Sequence, residues 1–192
     1  MRRCARWGIA LVSLLVLLLG RTASAATEGA SDGTGEERSG VISELRAGLS
    51  AHDVALFSGD KESGVDFDLE VLFVSPRFLG TVFSPRPLIG GSLNSAGDTS
   101  QLYGGIAWTW RFAPPLFIEL GLNLALHDGE LEERPDAKGL GCHLLFRESL
   151  SLGFHFGARH SLMATVAHIS NAGLCDPNEG LDTVGLRYGF RF

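Results

Sequence analysis

The feature that most constrains this chain is a two-residue rhythm. Within residues 116–127, Leu116, Ile118, Leu120, Leu122, Leu124 and Leu126 fall on one parity, while Phe117, Glu119, Gly121, Asn123, Ala125 and His127 fall on the other. A β-strand turns successive side chains to opposite faces, so this stretch makes a ribbon with one apolar face and one mixed face. The rhythm recurs in eight segments, at 41–51, 65–75, 86–94, 100–112, 116–127, 142–156, 161–170 and 181–192, with turn-forming residues between them. Helix-length periodicity is scarce after the first 40 residues. The fold class is all-β, with antiparallel neighbours joined by short connections.

A soluble sandwich also alternates, with its apolar face inward. Two features favour the inverse arrangement, an eight-stranded antiparallel transmembrane β-barrel with the apolar face turned to lipid. The segments match the roughly 9–11 residues that a tilted strand needs to cross a bilayer. The opposite face carries small residues and both charge signs, including Glu44, Arg46, Asp68, Glu70, Arg111, Glu119, Arg147 and Arg187. Such a set suits a narrow interior packed with ion pairs. Tyr103, Trp108, Trp110 and Tyr188 suit interfacial girdles. The chain ends on Phe192, with Tyr188 and Phe190 at alternate positions, like the terminal signal of bacterial outer-membrane barrels. With both termini in the periplasm, the connections near 52–64, 128–140 and 171–180 face outward. The connection at 76–85 is longer than a periplasmic turn requires.

The first 25 residues read as a secretory signal peptide: Arg2, Arg3 and Arg6, then an apolar run over 9–19, then Ala23-Ser24-Ala25 as a cleavage site. Residues 26–40 read as a flexible polar segment, and 41–192 as the barrel domain. Cleavage after Ala25 removes four arginines and no acid. It leaves 12 basic against 22 acidic residues, a net charge of −10. That balance argues against a nucleic-acid partner, whose phosphates need Lys and Arg. Cys142 and Cys175 remain in the exported part, near the same predicted rim, and suit a disulfide. No Cys-x-x-Cys or His-Glu-x-x-His spacing suggests a metal, and no cofactor is implied. The run from Asp176 to Gly180 lacks the alternating ligands of a calcium loop and reads as a turn. His127, His143, His155 and His160 read as interior or strand-end residues, and Gly90-Gly91 as tight barrel curvature.

Chemistry concentrates near the end. His168 and Ser170 share a face of one strand, on the parity of Leu162, Ala164 and Val166. A serine needs a base to become nucleophilic, and an imidazole can serve; an acid that orients the imidazole completes a triad. Asp182 begins the next strand. A hairpin centred on Cys175 places residue 168 opposite residue 182, close enough for side-chain contact. Glu148, on the preceding strand, shares this parity and is a second candidate acid. The plainer reading is a pair of polar residues at a strand end. Three polar residues on a lipid-facing side near the outer rim nonetheless suggest a task, and the substrate within reach there is lipid.

The stretches His168-Ile169-Ser170-Asn171-Ala172-Gly173, Pro177-Asn178-Glu179-Gly180-Leu181-Asp182 and Gly185-Leu186-Arg187-Tyr188 resemble the C-terminal signature of the lipid A 3-O-deacylase family. The likeness extends more weakly to Phe146-Arg147-Glu148-Ser149-Leu150. Members are eight-stranded outer-membrane barrels that hydrolyse the ester at position 3 of lipid A with a Ser–His–Glu triad. The resemblance implies Ser170 as nucleophile, His168 as general base, Asn171 and Gly173 at the oxyanion site, and Asp182 where the family has Glu. It also implies lipid A, the lipid anchor of lipopolysaccharide, as substrate and the bacterial outer membrane as location. A non-catalytic structural or adhesive barrel and a lipid A acyltransferase remain as alternatives, and the sequence leaves the oligomeric state open.

Overall fold

A computed structural model describes residues 40–192; the expected signal peptide and nearly all of the polar segment lie outside the described residues. Eight strands follow one another as β1 (Ile42–Ala51), β2 (Val65–Phe73), β3 (Arg86–Asn94), β4 (Gln101–Ala113), β5 (Leu116–His127), β6 (Leu144–Phe156), β7 (His160–Ser170) and β8 (Leu181–Arg191). Each pairs antiparallel with its sequence neighbour, and β8 returns to β1 to close the barrel. Closure removes the free strand edges that lipid could not satisfy. The strands contain 9–13 residues, the length that membrane crossing demands. Among the described residues no helix is long and apolar enough to cross a membrane.

The alternation runs apolar-outward. Along β2, Asp66, Asp68 and Glu70 are buried while Phe67 and Leu69 are more than half exposed. Exposed leucines, valines and phenylalanines continue this belt through Leu45, Leu49, Leu93, Leu102, Leu124, Leu152 and Leu186. An apolar surface of that extent belongs against lipid, which makes this a transmembrane barrel. Because the strand period is two, a slip of one residue would turn every charge outward, so the pattern also fixes the register.

An ion-pair lattice crosses the lumen. Arg46 contacts Glu44 at 2.9 Å, Glu119 at 2.6 Å and Glu70 at 3.5 Å; Arg86 contacts Glu44 and Glu119; Arg187 contacts Glu70 at 2.7 Å. Tyr103 lies in the lumen and not in an interfacial girdle: it shares the parity of the inward face, donates its hydroxyl proton to Glu70, and has the Arg147 guanidinium 3.9 Å from its ring centre. Gly90 is required by this packing, since a Cβ there would sit 2.6 Å from that ring. The long connection before β3 contains a short 3-10 helix, Arg77–Val82, which accounts for its length. It lies at the barrel end that holds the start of β1 and the end of β8. The connections at 52–64, 95–100, 128–143 and 171–180 crown the other end.

Candidate active site

Register assembles the site. Glu148 on β6 is the direct partner of His168 on β7, and His168 is the direct partner of Asp182 on β8. The hairpin symmetry about Cys175 expected from the sequence is therefore the observed pairing. Behind this row the barrel is solid. Leu145, Ile169 and Leu181 point inward and, with Leu140 of the β5–β6 loop, form a buried apolar cluster that fixes the strand ends.

Oδ1 of Asp182 lies 2.6 Å from Nδ1 of His168. A carboxylate at Nδ1 assigns the proton to that nitrogen, leaving the lone pair of Nε2 free to accept one. Asp182 is on the lipid-facing parity yet has no exposed surface. The β1–β2 loop covers it: its Oδ2 accepts the N–H of Phe57 at 2.7 Å, the N–H of Ser58 at 3.0 Å and the Ser58 hydroxyl at 3.1 Å. The Phe57 ring meets the imidazole edge-on, with centroids 5.9 Å apart. Gly180, at φ +68°, lets the β7–β8 loop pass beside the ring, since a Cβ there would lie 2.9 Å from His168 Cε1. Sequence reasoning missed Phe57 and Ser58, and it named Gly180 only within the family-like stretch and as the end of a turn. The one available signal was Leu56-Phe57, two large apolar residues inside a polar outer loop.

Ser170 lies two residues beyond His168 on the same face, opposite Phe146. Among the described residues its hydroxyl makes no hydrogen bond to His168, so the Ser170–His168 link expected from the sequence is not drawn. Catalytic contacts of this kind often close only around substrate. Glu148 is in register with His168, but no hydrogen bond joins the two among the described residues. The acid that the geometry pairs with the imidazole is Asp182.

The segment after Ser170 is braced from within. Asn171 is buried, and its carboxamide N–H groups donate to the carbonyls of Leu140 and Pro177, each at 2.9 Å. Its Oδ1 accepts the N–H of Gly173 at 2.8 Å, and its own N–H donates to Asn178 Oδ1. Ala172 and Gly173 both have positive φ, and the N–H of Leu174 returns to the carbonyl of Asn171, as in a type I′ turn. The donors that the sequence resemblance placed at the oxyanion site are thus engaged inside the loop in this conformation. Among the described residues, the N–H of Ala172 is the one in this turn with no acceptor. A disulfide joins Cys142 to Cys175, Cα–Cα 5.9 Å, and ties this loop to the foot of β6. Among the described residues no group of His, Cys, Asp and Glu is arranged to hold a metal. The remaining histidines are engaged elsewhere: His52 with Asp66 and Glu62, His127 with the carbonyl of Cys142 and the ring of His143, His155 stacked on Phe117, and His160 among Phe156, Tyr188 and Phe190.

The sequence model of the family described as lipid A 3-O-deacylase (PagL) matches residues 91–191. The lipid A deacylase PagL of Pseudomonas aeruginosa is 35% identical over 72 residues, a stretch that covers 38% of this chain and 40% of that protein. The crystal structure of the outer membrane enzyme PagL superposes with a TM-score of 0.61 at 23% identity, covering 78% of this chain and 99% of the other. The crystal structure of Neisserial surface protein A superposes with a TM-score of 0.52 at 10% identity, covering 79% of this chain and 96% of the other. At these identities the two superpositions speak for the barrel fold.

Proposed function

This chain belongs to the lipid A 3-O-deacylase family, and from that premise we propose that it is an outer-membrane esterase that removes the acyl chain at position 3 of lipid A. The observation that carries the reading is the 2.6 Å contact between His168 and a wholly buried Asp182 on the lipid-facing side of the barrel. A base oriented in this way faces the bilayer, where the substrate is the neighbouring lipid.

Ser170 Oγ attacks the ester carbonyl while His168 Nε2 takes its proton. Asp182 balances the imidazolium that forms. The oxyanion is met by the turn after Ser170, with the N–H of Ala172 as its open donor and Asn171 and Gly173 shaping the turn. The bond between the acyl carbon and the 3-oxygen breaks, and His168 gives its proton to that oxygen, which leaves with the sugar. Water, deprotonated by His168, then cleaves the acyl-serine, releasing a fatty acid and restoring Ser170. The family places Glu where this chain has Asp182, and here the shorter acid reaches the imidazole directly.

The test is mass spectrometry of lipid A from cells that make the protein and from cells that make Ser170→Ala. Loss of one 3-hydroxyacyl mass in the first alone is the expected result. An unchanged spectrum in both points to a structural barrel, and a gain of mass to acyl transfer.

A further inference from the structure

The contacts of Asp182 do not end at the β1–β2 loop. Ser58 Oγ, which donates to Asp182 Oδ2, accepts a hydrogen bond from Lys138 Nζ at 3.2 Å. Lys138 comes from the β5–β6 loop and is 1% exposed. Its ammonium also contacts the carbonyl of Gly59 and forms an ion pair with Asp53 at 3.1 Å. Asp53 in turn accepts the N–H groups of Lys61 and Glu62 through its other oxygen.

An ammonium has donors only. With Lys138 donating to Ser58 Oγ, the hydroxyl proton of Ser58 is directed to Asp182. The polarity of the contacts is then fixed: Lys138 N–H donates to the Ser58 oxygen, Ser58 O–H donates to Asp182 Oδ2, and the Nδ1–H of His168 donates to Asp182 Oδ1. Burying a lysine is costly, and Asp53 alone satisfies its charge. The placement of the ammonium one hydroxyl from the carboxylate that holds the base is the feature that packing does not require. We propose that Lys138 and Ser58 are positioning residues of this site: they hold the Asp182 carboxylate in the rotation that meets His168. Neither touches substrate. The charged groups around the acid are Lys138 and Asp53 from the two loops, Glu148 across β7, and the Lys61–Glu179 ion pair above the β7–β8 loop. This inference rests on the Ser170–His168–Asp182 reading above.

The experiment is the rate at which a fluorophosphonate probe labels Ser170 in the full-length protein in detergent micelles, with folding confirmed by gel mobility without heating. Three variants decide it. Ser58→Ala removes the relay hydroxyl, and Ser58→Thr retains it. The double variant Asp53→Asn with Lys138→Met removes the ion pair as a unit, so that no lone charge is buried. Misplacing a catalytic group lowers rates steeply, so Ser58→Ala and the double variant should label about tenfold more slowly, and Ser58→Thr should recover most of the lost rate. On lipid A, kcat should fall in parallel with KM unchanged. Wild-type labelling rates in both Ser58→Ala and the folded double variant overturn the inference. Failure of Ser58→Thr to recover rate assigns Ser58 to packing and overturns it as well. A wild-type protein that is not labelled at Ser170 removes the triad and the inference together. A wild-type protein that labels but releases no acyl chain overturns the substrate reading alone, and the order of labelling rates still decides the role of Lys138 and Ser58.

Discussion

Asp182 faces the lipid side of the barrel, yet it is the most sheltered member of its row, with His168 on one carboxylate oxygen and the Phe57–Ser58 turn on the other. An acid placed against hydrocarbon without such cover would be neutralised or would draw in water. The β1–β2 loop supplies the cover and leaves the imidazole edge open toward the bilayer. The β1–β2 loop thereby becomes part of the surroundings of the proposed acid.

Two substitutions separate the candidate acids. Asp182→Asn removes the charge that stabilises the imidazolium, and kcat should fall by about 10²–10⁴ with little change in KM. Glu148→Gln leaves the 2.6 Å contact in place and should be mild. Asp182→Glu, which restores the family's residue, should also lose activity in this chain. Both Asp182 oxygens are already matched in a closed pocket, and an added methylene must displace either the imidazole or the Phe57–Ser58 backbone. Deacylation rates of purified, folded variants on lipid A in micelles check all three. Loss of activity in Glu148→Gln with retention in Asp182→Asn would transfer the role to Glu148.

The barrel was legible in the sequence because its code is local. A strand of period two declares which residues share a face, and a hairpin centred on Cys175 declares that 168 meets 182. The cover over Asp182 was not legible, because Ser58 lies 124 residues away and loops carry no period. From the sequence, the β1–β2 loop reads only as an outer connection. The oxyanion site shows a related limit: resemblance marks Asn171 and Gly173 by residue type, but the fold commits the Gly173 N–H to Asn171 Oδ1 and the Asn171 donors to Leu140, Pro177 and Asn178.

The disulfide should matter more to the site than to the barrel. Cys142 and Cys175 are 33 residues apart, and closing a loop of that length contributes about 3–4 kcal/mol in the chain-entropy account. Gly141, beside it, packs so tightly that a Cβ would lie 2.9 Å from Asn171 Nδ2. A Cys142→Ser/Cys175→Ala variant should still migrate as a folded barrel when unheated. Its β7–β8 loop should be cut faster by protease, and its deacylation rate should drop. Wild-type nicking and wild-type rate in the folded variant would show that the loop is held by Asn171 alone.

The lumen lattice should respond to the loss of one member. Glu119 receives Arg46 through two nitrogens, at 2.6 and 2.9 Å, along with Arg86 and Thr109. Breaking a buried ion pair by removing one partner costs about 3–5 kcal/mol, because the remaining charges lose their compensation. Glu119→Ala should lower the urea midpoint of unfolding in detergent, while the rate of probe labelling at Ser170, at the far end of the barrel, stays unchanged. A midpoint equal to wild type would mean that Glu44 and Glu70 suffice for both arginines.

The outer crown carries a pH dependence whose sign can be worked out. His52, just beyond β1, lies 2.9 Å from Asp66 and 3.0 Å from Glu62. Burial alone would depress its pKa, but the two carboxylates outweigh burial and raise it to about 9. Burial pushes Glu62 upward, yet His52, the N–H of Lys138 and Thr99 bring it down to about 2. A group raised above its unfolded value stabilises fully below that value, so the His52 contribution is complete below about pH 6.5 and is lost as pH climbs through about 9. A lowered carboxyl behaves oppositely: the Glu62 contribution is complete above about pH 4.5 and is lost as pH falls through about 2. The two describe one shared contact, so their effects overlap and do not add. The crown is therefore tightest between about pH 4.5 and 6.5 and loosens on the alkaline side first. Because Glu62 also holds the backbone of Lys138, loosening should spread from the β1–β2 loop to the β5–β6 loop. Amide hydrogen exchange over residues 52–64 and 136–141, corrected for intrinsic base catalysis, should lose protection between pH 7 and 9.5, while β4 and β5 keep theirs. Constant corrected protection across that range would show that His52 is held by packing and not by its charge.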